Sequence, residues 1–271
     1  MFKRIVMICG VPRSGTSWVG QILDSSPETV YRFQPLFSWA FKNYIGPNSS
    51  KKKCDSFFTK VYNSQNPFLL QAERKKEGIY PVFGHKDPLS PVLVIKMVRY
   101  HHLLPMLLDY FENTLQVAFI IRHPCGVINS WLKTPKEFFK DADPQVEWDL
   151  AESRNKDKPE EYWGFDGWKR FLDIYSTIKE QFPQNVFLIN YEQLVINTMD
   201  QVTDLFSFLN IEISLQTKQF LLESTQINNS DPYSVYKNKK VKDNWKIELD
   251  PAIKDAVLNK LKQLPYNHFF D

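Results

Sequence analysis

Short runs of strand character alternate along the chain with longer stretches in which apolar positions recur at helical spacing. Ile5-Val6-Met7-Ile8-Cys9, Val30-Tyr31-Arg32-Phe33, Val92-Leu93-Val94-Ile95-Lys96, the tract 115–121 and Val186-Phe187-Leu188-Ile189-Asn190 read as strands. Helical faces follow them: Val19, Ile22 and Leu23, then Leu103, Leu104, Leu107, Leu108 and Phe111, then residues 126–132, 168–182, 199–209 and 251–264. The aromatic segment Phe37, Trp39, Ala40, Phe41 and Tyr44 also recurs helically, and residues 54–78 read as helix after a basic, solvated loop at 46–53. Such alternation predicts an α/β fold: a mostly parallel sheet with helices on both faces and a ligand at the carboxyl ends of the strands. Residues 1–271 form one domain in this reading. The charged, proline-punctuated, Trp- and Phe-rich stretch 133–167 is its candidate insertion or acceptor lobe.

The first strand runs into Gly10-Val11-Pro12-Arg13-Ser14-Gly15-Thr16-Ser17-Trp18, and a helix begins there. Strand, glycine loop and helix N-terminus form an anion site, because the first backbone N–H groups of the helix lack intrahelical acceptors. The order of elements points to a three-layer sandwich of the P-loop-containing nucleoside triphosphate hydrolase type. The loop departs from a nucleotide triphosphatase at one position: after Gly15 comes Thr16 instead of lysine, and the positive charge is Arg13, inside the loop. A guanidinium there suits bidentate contact with a phosphate or sulfate donor handled without a metal.

Composition narrows this modestly. Thirty-four basic side chains against 31 acidic ones leave a net charge of +3, too weak an excess to imply a bulk nucleic-acid partner. Cys9, Cys54 and Cys125 are far apart and odd in number, which suggests neither a zinc site nor a disulfide framework. They read as small space-fillers. No signal peptide precedes the first strand and no apolar stretch reaches about 18 residues. The expectation is a cytoplasmic protein of unknown oligomeric state, without a membrane span.

A second cluster follows the clearest strand. Arg122-His123-Pro124 leaves its end, and Ser130 lies about two turns into the next helix. Together they can grip one phosphate, the arginine by a charged fork and the serine by its hydroxyl. Two separate clamps suggest a ligand with phosphates at two ends, such as 3′-phosphoadenosine 5′-phosphosulfate (PAPS). ATP, with one linear triphosphate, needs only the first.

With both clamps in this order, the chain resembles the PAPS-dependent sulfotransferases. Residues 10–18 look like the family's 5′-phosphosulfate loop, and Arg122-His123-Pro124 with Ser130 like its 3′-phosphate motif. Tyr31-Arg32-Phe33-Gln34-Pro35-Leu36-Phe37 and Ile95-Lys96-Met97-Val98-Arg99 resemble the carbohydrate branch in particular, and Tyr191-Glu192-Gln193-Leu194 resembles a segment after a later strand. The resemblance implies in-line sulfuryl transfer to an acceptor hydroxyl, borne by a sugar or polysaccharide, with adenosine 3′,5′-bisphosphate (PAP) leaving. Arg13 braces the leaving oxygen in this scheme. Ser14, Gly15, Thr16, Ser17 and Trp18 hold the 5′ end, and Arg122 and Ser130 the 3′-phosphate. Lys96 and Arg99 face the sulfonate or an anionic acceptor, and Lys239 and Lys240 belong to a basic loop that closes over the donor. Carbohydrate sulfotransferases often carry glutamate where this chain has Gln34, and that glutamate is their candidate base. Gln34 then only orients the acceptor. His85, Asp87, His101, His102 and His123 are substitutes, with His85 favoured because it sits in a turn before a strand and an imidazole titrates near neutrality. Alternatives are transfer to a phenol, amine or small alcohol, an inactive PAP-binding relative, and a nucleotide-dependent phosphotransferase.

Overall fold

Five runs become strands in the computed structural model, which describes residues 2–87, 89–227, 229–236 and 242–270. They are β1 (Arg4–Cys9), β2 (Thr29–Phe33), β3 (Val92–Met97), β4 (Leu115–Ile121) and β5 (Val186–Asn190). Their order is β2-β3-β1-β4-β5, and every pairing is parallel. The central strand β1 has Ile5 opposite Leu93 on one side and Leu115 on the other.

Both faces of the sheet are covered, which is why the strands read as near-continuous apolar runs. Ile5, Met7, Cys9, Val117, Phe119 and Ile121 pack with helices Lys51–Tyr62, Leu104–Phe111, Gly164–Gln181 and Pro251–Lys262. Val6, Ile8, Ala118 and Ile120 face the other way, toward α1 (Thr16–Asp24) and helices Thr198–Leu209 and Leu215–Gln226. The period-two alternation of side chains thus builds two cores, one in each interlayer space. Cys9, Cys54 and Cys125 are buried without disulfides, and burial raises their thiol pKa values, that of Cys125 to about 12.

Local chemistry changes several elements expected from spacing. The aromatic segment after β2 is not a helix beyond the single 3₁₀ turn Pro35–Phe37. Ser38 interrupts it: its hydroxyl donates to the Pro35 carbonyl and accepts from the Phe41 amide, a local alternative to helical bonding. The basic run Lys51 to Lys53 is helical rather than loop, because Ser50 accepts from the Lys53 amide as N-cap. Residues 54–78 divide into helix Lys51–Tyr62, Pro67–Leu70 and Ala72–Lys76, with Asn66 capping the second and Gln71 in a left-handed conformation at the break. Among the described residues no helix is long and apolar enough to cross a membrane.

Candidate functional site

A cavity of about 1100 Å³ opens at the carboxyl ends of the strands. Each strand delivers lining residues as it ends: Pro12 and Arg13 after β1, Gln34 after β2, Lys96, Val98 and Arg99 at and after β3, Arg122 after β4, and Tyr191 after β5. The ligand position expected from strand–helix alternation is therefore where the open volume lies.

The loop from β1 to α1 is tightly built. Gly10 faces Ser14, Thr16 and the Ile120 carbonyl so closely that a Cβ would lie 2.5 Å from the Ser14 hydroxyl. Gly15 has φ +95° and lies against the Tyr191 ring, where a Cβ would sit 2.5 Å from a ring carbon. Glycine meets both demands, the left-handed backbone and the close approach. Ser14 is buried and donates its hydroxyl to the Val11 carbonyl at 2.7 Å, so its side chain holds the loop's shape. Arg13 adopts a left-handed φ of 72° at the tip.

Arg13 joins the two clamps. Its Nε donates to Ser130 Oγ at 3.1 Å, Nη2 donates to the Pro232 carbonyl at 2.7 Å, and Nη1 lies 3.5 Å from Glu137 Oε2. Arg122 donates from Nη1 to the Arg13 carbonyl at 3.0 Å and lies over the Tyr191 ring. Gly126 leaves room for it, since a Cβ there would come within 3.0 Å of Arg122 Nε. That Nε is buried and has no hydrogen-bond partner among the described residues, although the side chain lines the cavity. A guanidinium lining a cavity suits an anion.

Lys96, the penultimate residue of β3, is buried and donates from Nζ to Ser17 Oγ at 2.6 Å while lying over the Phe33 ring. Burial pushes its pKa well below the usual lysine value; Arg74, Arg13 and Arg99 push the same way, and Glu137 opposes them. Arg99 is held by Glu161 at 2.7 Å and lies 4.3 Å from the Phe37 ring centre. Its Nη1 is 3.5 Å from Gln34 Oε1. Gln34 has a left-handed φ of 41°, and its amide donates to the Lys96 carbonyl, which ties the ends of β2 and β3 together. Trp18 and Thr16 line the cavity as well; Trp18 donates from Nε1 to Ser224 Oγ.

His85 is not brought to this site. It is exposed and exchanges backbone contacts with Gln216, while its neighbour Lys86 is bound to Asp24 and Thr29. Asp24 ends α1, so His85 lies at the end of that helix opposite the glycine loop. Three other candidate histidines pack away from the reacting groups, His102 against Tyr100. His101 is buried between Tyr162 and Phe171, with its pKa lowered to about 3 by burial. His123 stacks on Trp245 at 4.4 Å, and burial, then Arg122, lowers its pKa to about 4. Lys239 and Lys240 lie outside the described residues. Among the described residues no three His, Cys, Asp or Glu side chains converge.

Many lining residues escape sequence reading, Arg74, Glu137, Arg154 and Trp163 among them. Arg74 stands in the charged run Glu73-Arg74-Lys75-Lys76-Glu77, where nothing separates it from solvated neighbours, yet it lies over Tyr233 and donates to Tyr80. Glu137, Arg154 and Trp163 come from the 133–167 stretch, which reads as a candidate lobe without any motif.

Strand-end placement and convergent cations give this α/β protein a cation-lined cavity beside its first glycine loop. Residues 6–214 match the sulfotransferase family, and the chain belongs to that family. Mouse sulfotransferase SULT7A1, solved in complex with PAP, is similar in fold, with a TM-score of 0.56 and 13% identity over 97% of this chain and 85% of that one. Retinol dehydratase, solved with androsterone and inactive cofactor PAP, has a TM-score of 0.56 and 14% identity, covering 97% and 81% of the two chains. A sulfotransferase from Alicyclobacillus acidocaldarius has a TM-score of 0.53 and 12% identity over 100% of each chain. No curated protein sequence matches significantly. These findings correct the fold expected from the loop: the α/β sandwich with its parallel sheet stands, but the family and the solved structures are sulfotransferases, not nucleoside triphosphate hydrolases. The physical difference is at position 16, where Thr16 replaces the phosphate-binding lysine and Arg13 carries the charge from within the loop.

Proposed function

We propose that this chain transfers a sulfuryl group from PAPS to an acceptor hydroxyl, on a sugar or polysaccharide. One observation carries the reading: Arg13, in the glycine loop, is hydrogen-bonded to Ser130 of the second clamp and also accepts, through its carbonyl, from Arg122. Both clamps therefore act on one ligand, and a nucleotide phosphorylated at two ends has the matching chemistry. The Arg122 guanidinium lining the cavity and the close-packed glycines of the loop fit such a group.

In this reading, loop amides from Ser14 to Ser17 and the Thr16 and Ser17 hydroxyls bind the 5′-phosphate. Arg122 and Ser130 bind the 3′-phosphate, with Asn129 beside them on the cavity wall. When bound, the donor supplies an activated sulfuryl group with PAP as leaving group. Arg13 meets charge developing on the bridging oxygen, and Lys96 faces the sulfonate oxygens, a division of labour that rests on positioning and electrostatics. Arg99 and Gln34 orient the acceptor. The sugar assignment rests on the likeness of residues 31–37 and 95–99 to carbohydrate sulfotransferases, together with the exposed Phe37 ring and Trp163 on the cavity wall, which offer flat apolar faces.

Calorimetry with PAP, followed by radiolabelled transfer from PAPS across sugars, phenols and amines, tests this. Arg122→Ala should weaken PAP binding by about tenfold or more, the range for a lost charge-assisted hydrogen bond. Arg13→Ala should lower turnover by about 10²-fold or more with a smaller change in PAP affinity. Equal effects of both substitutions on both quantities would overturn the division of roles. Transfer confined to phenols or amines would overturn the sugar acceptor.

A further inference from the structure

The cations of the site leave the acceptor's proton without a destination. A neutral amide does not take up a proton at neutral pH, so Gln34 is not a base, and His85 lies at the far end of α1. Of the carboxylates at the cavity, Glu77 is exposed to solvent at the end of helix Ala72–Lys76, and Glu248 is held by Asn129 at 2.9 Å and Lys133 at 3.0 Å, next to the 3′-phosphate clamp. Asp231 accepts from the Tyr233 amide at 2.7 Å within its own turn. Glu161, behind the wall, takes both Arg99 Nε and Trp163 Nε1 on one oxygen.

Glu137 differs from these. Among the described residues its Oε2 is buried and accepts no hydrogen bond, and the nearest cation, Arg13 Nη1, stands at 3.5 Å, an ion-pair distance. Glu137 lines the same cavity as Arg13 and Lys96, the two cations assigned to the transferring group, and its charge opposes the lowering of the Lys96 pKa. Its main chain is fixed: the amide donates to the Thr134 carbonyl at 2.8 Å, and the carbonyl accepts from Trp131 Nε1 at 3.1 Å. Trp131 is fully buried, which anchors this position of the 133–167 stretch to the core.

We propose that Glu137 is the general base of the sulfuryl transfer, an inference that rests on the PAPS-dependent reading above. The acceptor oxygen forms the new S–O bond while its proton passes to a Glu137 carboxylate oxygen. The S–O bond to the 5′-phosphate breaks, and its electron pair stays on the phosphate oxygen beside Arg13. Glu137 then returns the proton to water. Before the donor enters, Glu137 occupies Arg13 Nη1 as an internal anion. The donor's 5′-phosphate end arriving at Arg13 displaces that pairing and leaves the carboxylate free beside the acceptor oxygen. Donor binding and proton transfer consequently respond to Glu137 in opposite directions.

The test is Glu137→Gln, which preserves size and the main-chain contacts, measured for PAP affinity by calorimetry and for turnover by transfer from labelled PAPS, including its hydrolysis to sulfate with water as acceptor. PAP should bind as tightly as to the native chain or up to about tenfold more tightly, because a competing anion is gone. Turnover should fall by about 10²–10⁴-fold, the usual contribution of a positioned base, and Glu137→Asp should restore part of it. Turnover of the glutamine variant within about twofold of native would overturn the base. PAP affinity weakened by about tenfold would do so too, by showing that Glu137 organises the donor site instead. PAP binding by the native chain with neither transfer nor hydrolysis overturns the base but leaves the donor site standing. Failure of the native chain to bind PAP overturns the donor reading, and the base with it.

Discussion

Lys96 shows how much a single side chain's setting decides. In the sequence it is a charged residue closing an apolar run, as consistent with a peripheral ion pair as with a site. In the fold it is buried, bound to Ser17 and over Phe33, with its ammonium disfavoured first by burial and then by three arginines. An anion delivered to Ser17 stabilises the charged form, so the pKa of Lys96 rises on binding. Between the free and bound values, PAP binding must take up a proton. Calorimetry in two buffers of different ionisation enthalpy should show that uptake, and Lys96→Met should abolish it while weakening PAP binding by about tenfold. Uptake unchanged in the variant would assign the proton elsewhere. Residues such as Arg74 and Glu137 were not legible at this scale, because their cavity partners, Tyr233 and Arg13, are distant in the chain and no local spacing records them.

Among the elements, the strand–loop–helix at the start of the chain was the most legible. Its pattern is local: an apolar run, a glycine frame and a helical face, each set by neighbours in sequence. The structure adds the reason that Gly15 in particular is glycine, which is the Tyr191 ring from the end of β5 lying where a Cβ would go. Gly15→Ala should therefore destabilise the protein by about 1–3 kcal/mol through the positive φ alone, with a further collision against Tyr191. In a Tyr191→Ala background the collision part should disappear, giving a non-additive double-mutant cycle in urea unfolding. Strict additivity would mean that the ring gives way freely. Elements governed by a single polar side chain were poorly legible from periodicity. Ser38 stops the aromatic segment from forming a helix, and Ser50 starts one where charge suggested loop.

For the whole molecule, histidines placed in the hydrophobic layers make stability depend on pH. His101 and His123 have pKa values of about 3 and about 4 in the folded chain, both lowered chiefly by burial, against an ordinary value near 6.5. Between these values the unfolded chain binds more protons than the folded one. Stability is therefore full above about pH 6.5 and falls as pH drops toward 4, by up to about 1.4 kcal/mol per pH unit for each histidine. Melting temperatures at pH 7, 6 and 5 should decline, and His101→Asn should flatten the decline even if it lowers the value at pH 7. A melting temperature independent of pH across this range would contradict the burial of these imidazoles as charged-form-excluding.

The layered α/β architecture was legible because strand and helix periodicities are written in near-neighbour hydrophobicity, and a sheet covered on both faces demands apolar runs. The loops that bring Arg13 and Arg122 to the cavity were legible because each is a contiguous motif at a strand end. Tertiary structure alone decided that Arg13 bonds to Ser130, that His85 is carried away along α1, and that Glu137 faces Arg13 across the cavity. Those three outcomes depend on which strand ends lie side by side in the order β2-β3-β1-β4-β5 and on where a long connection returns, and packing settles both only when the chain has closed on itself.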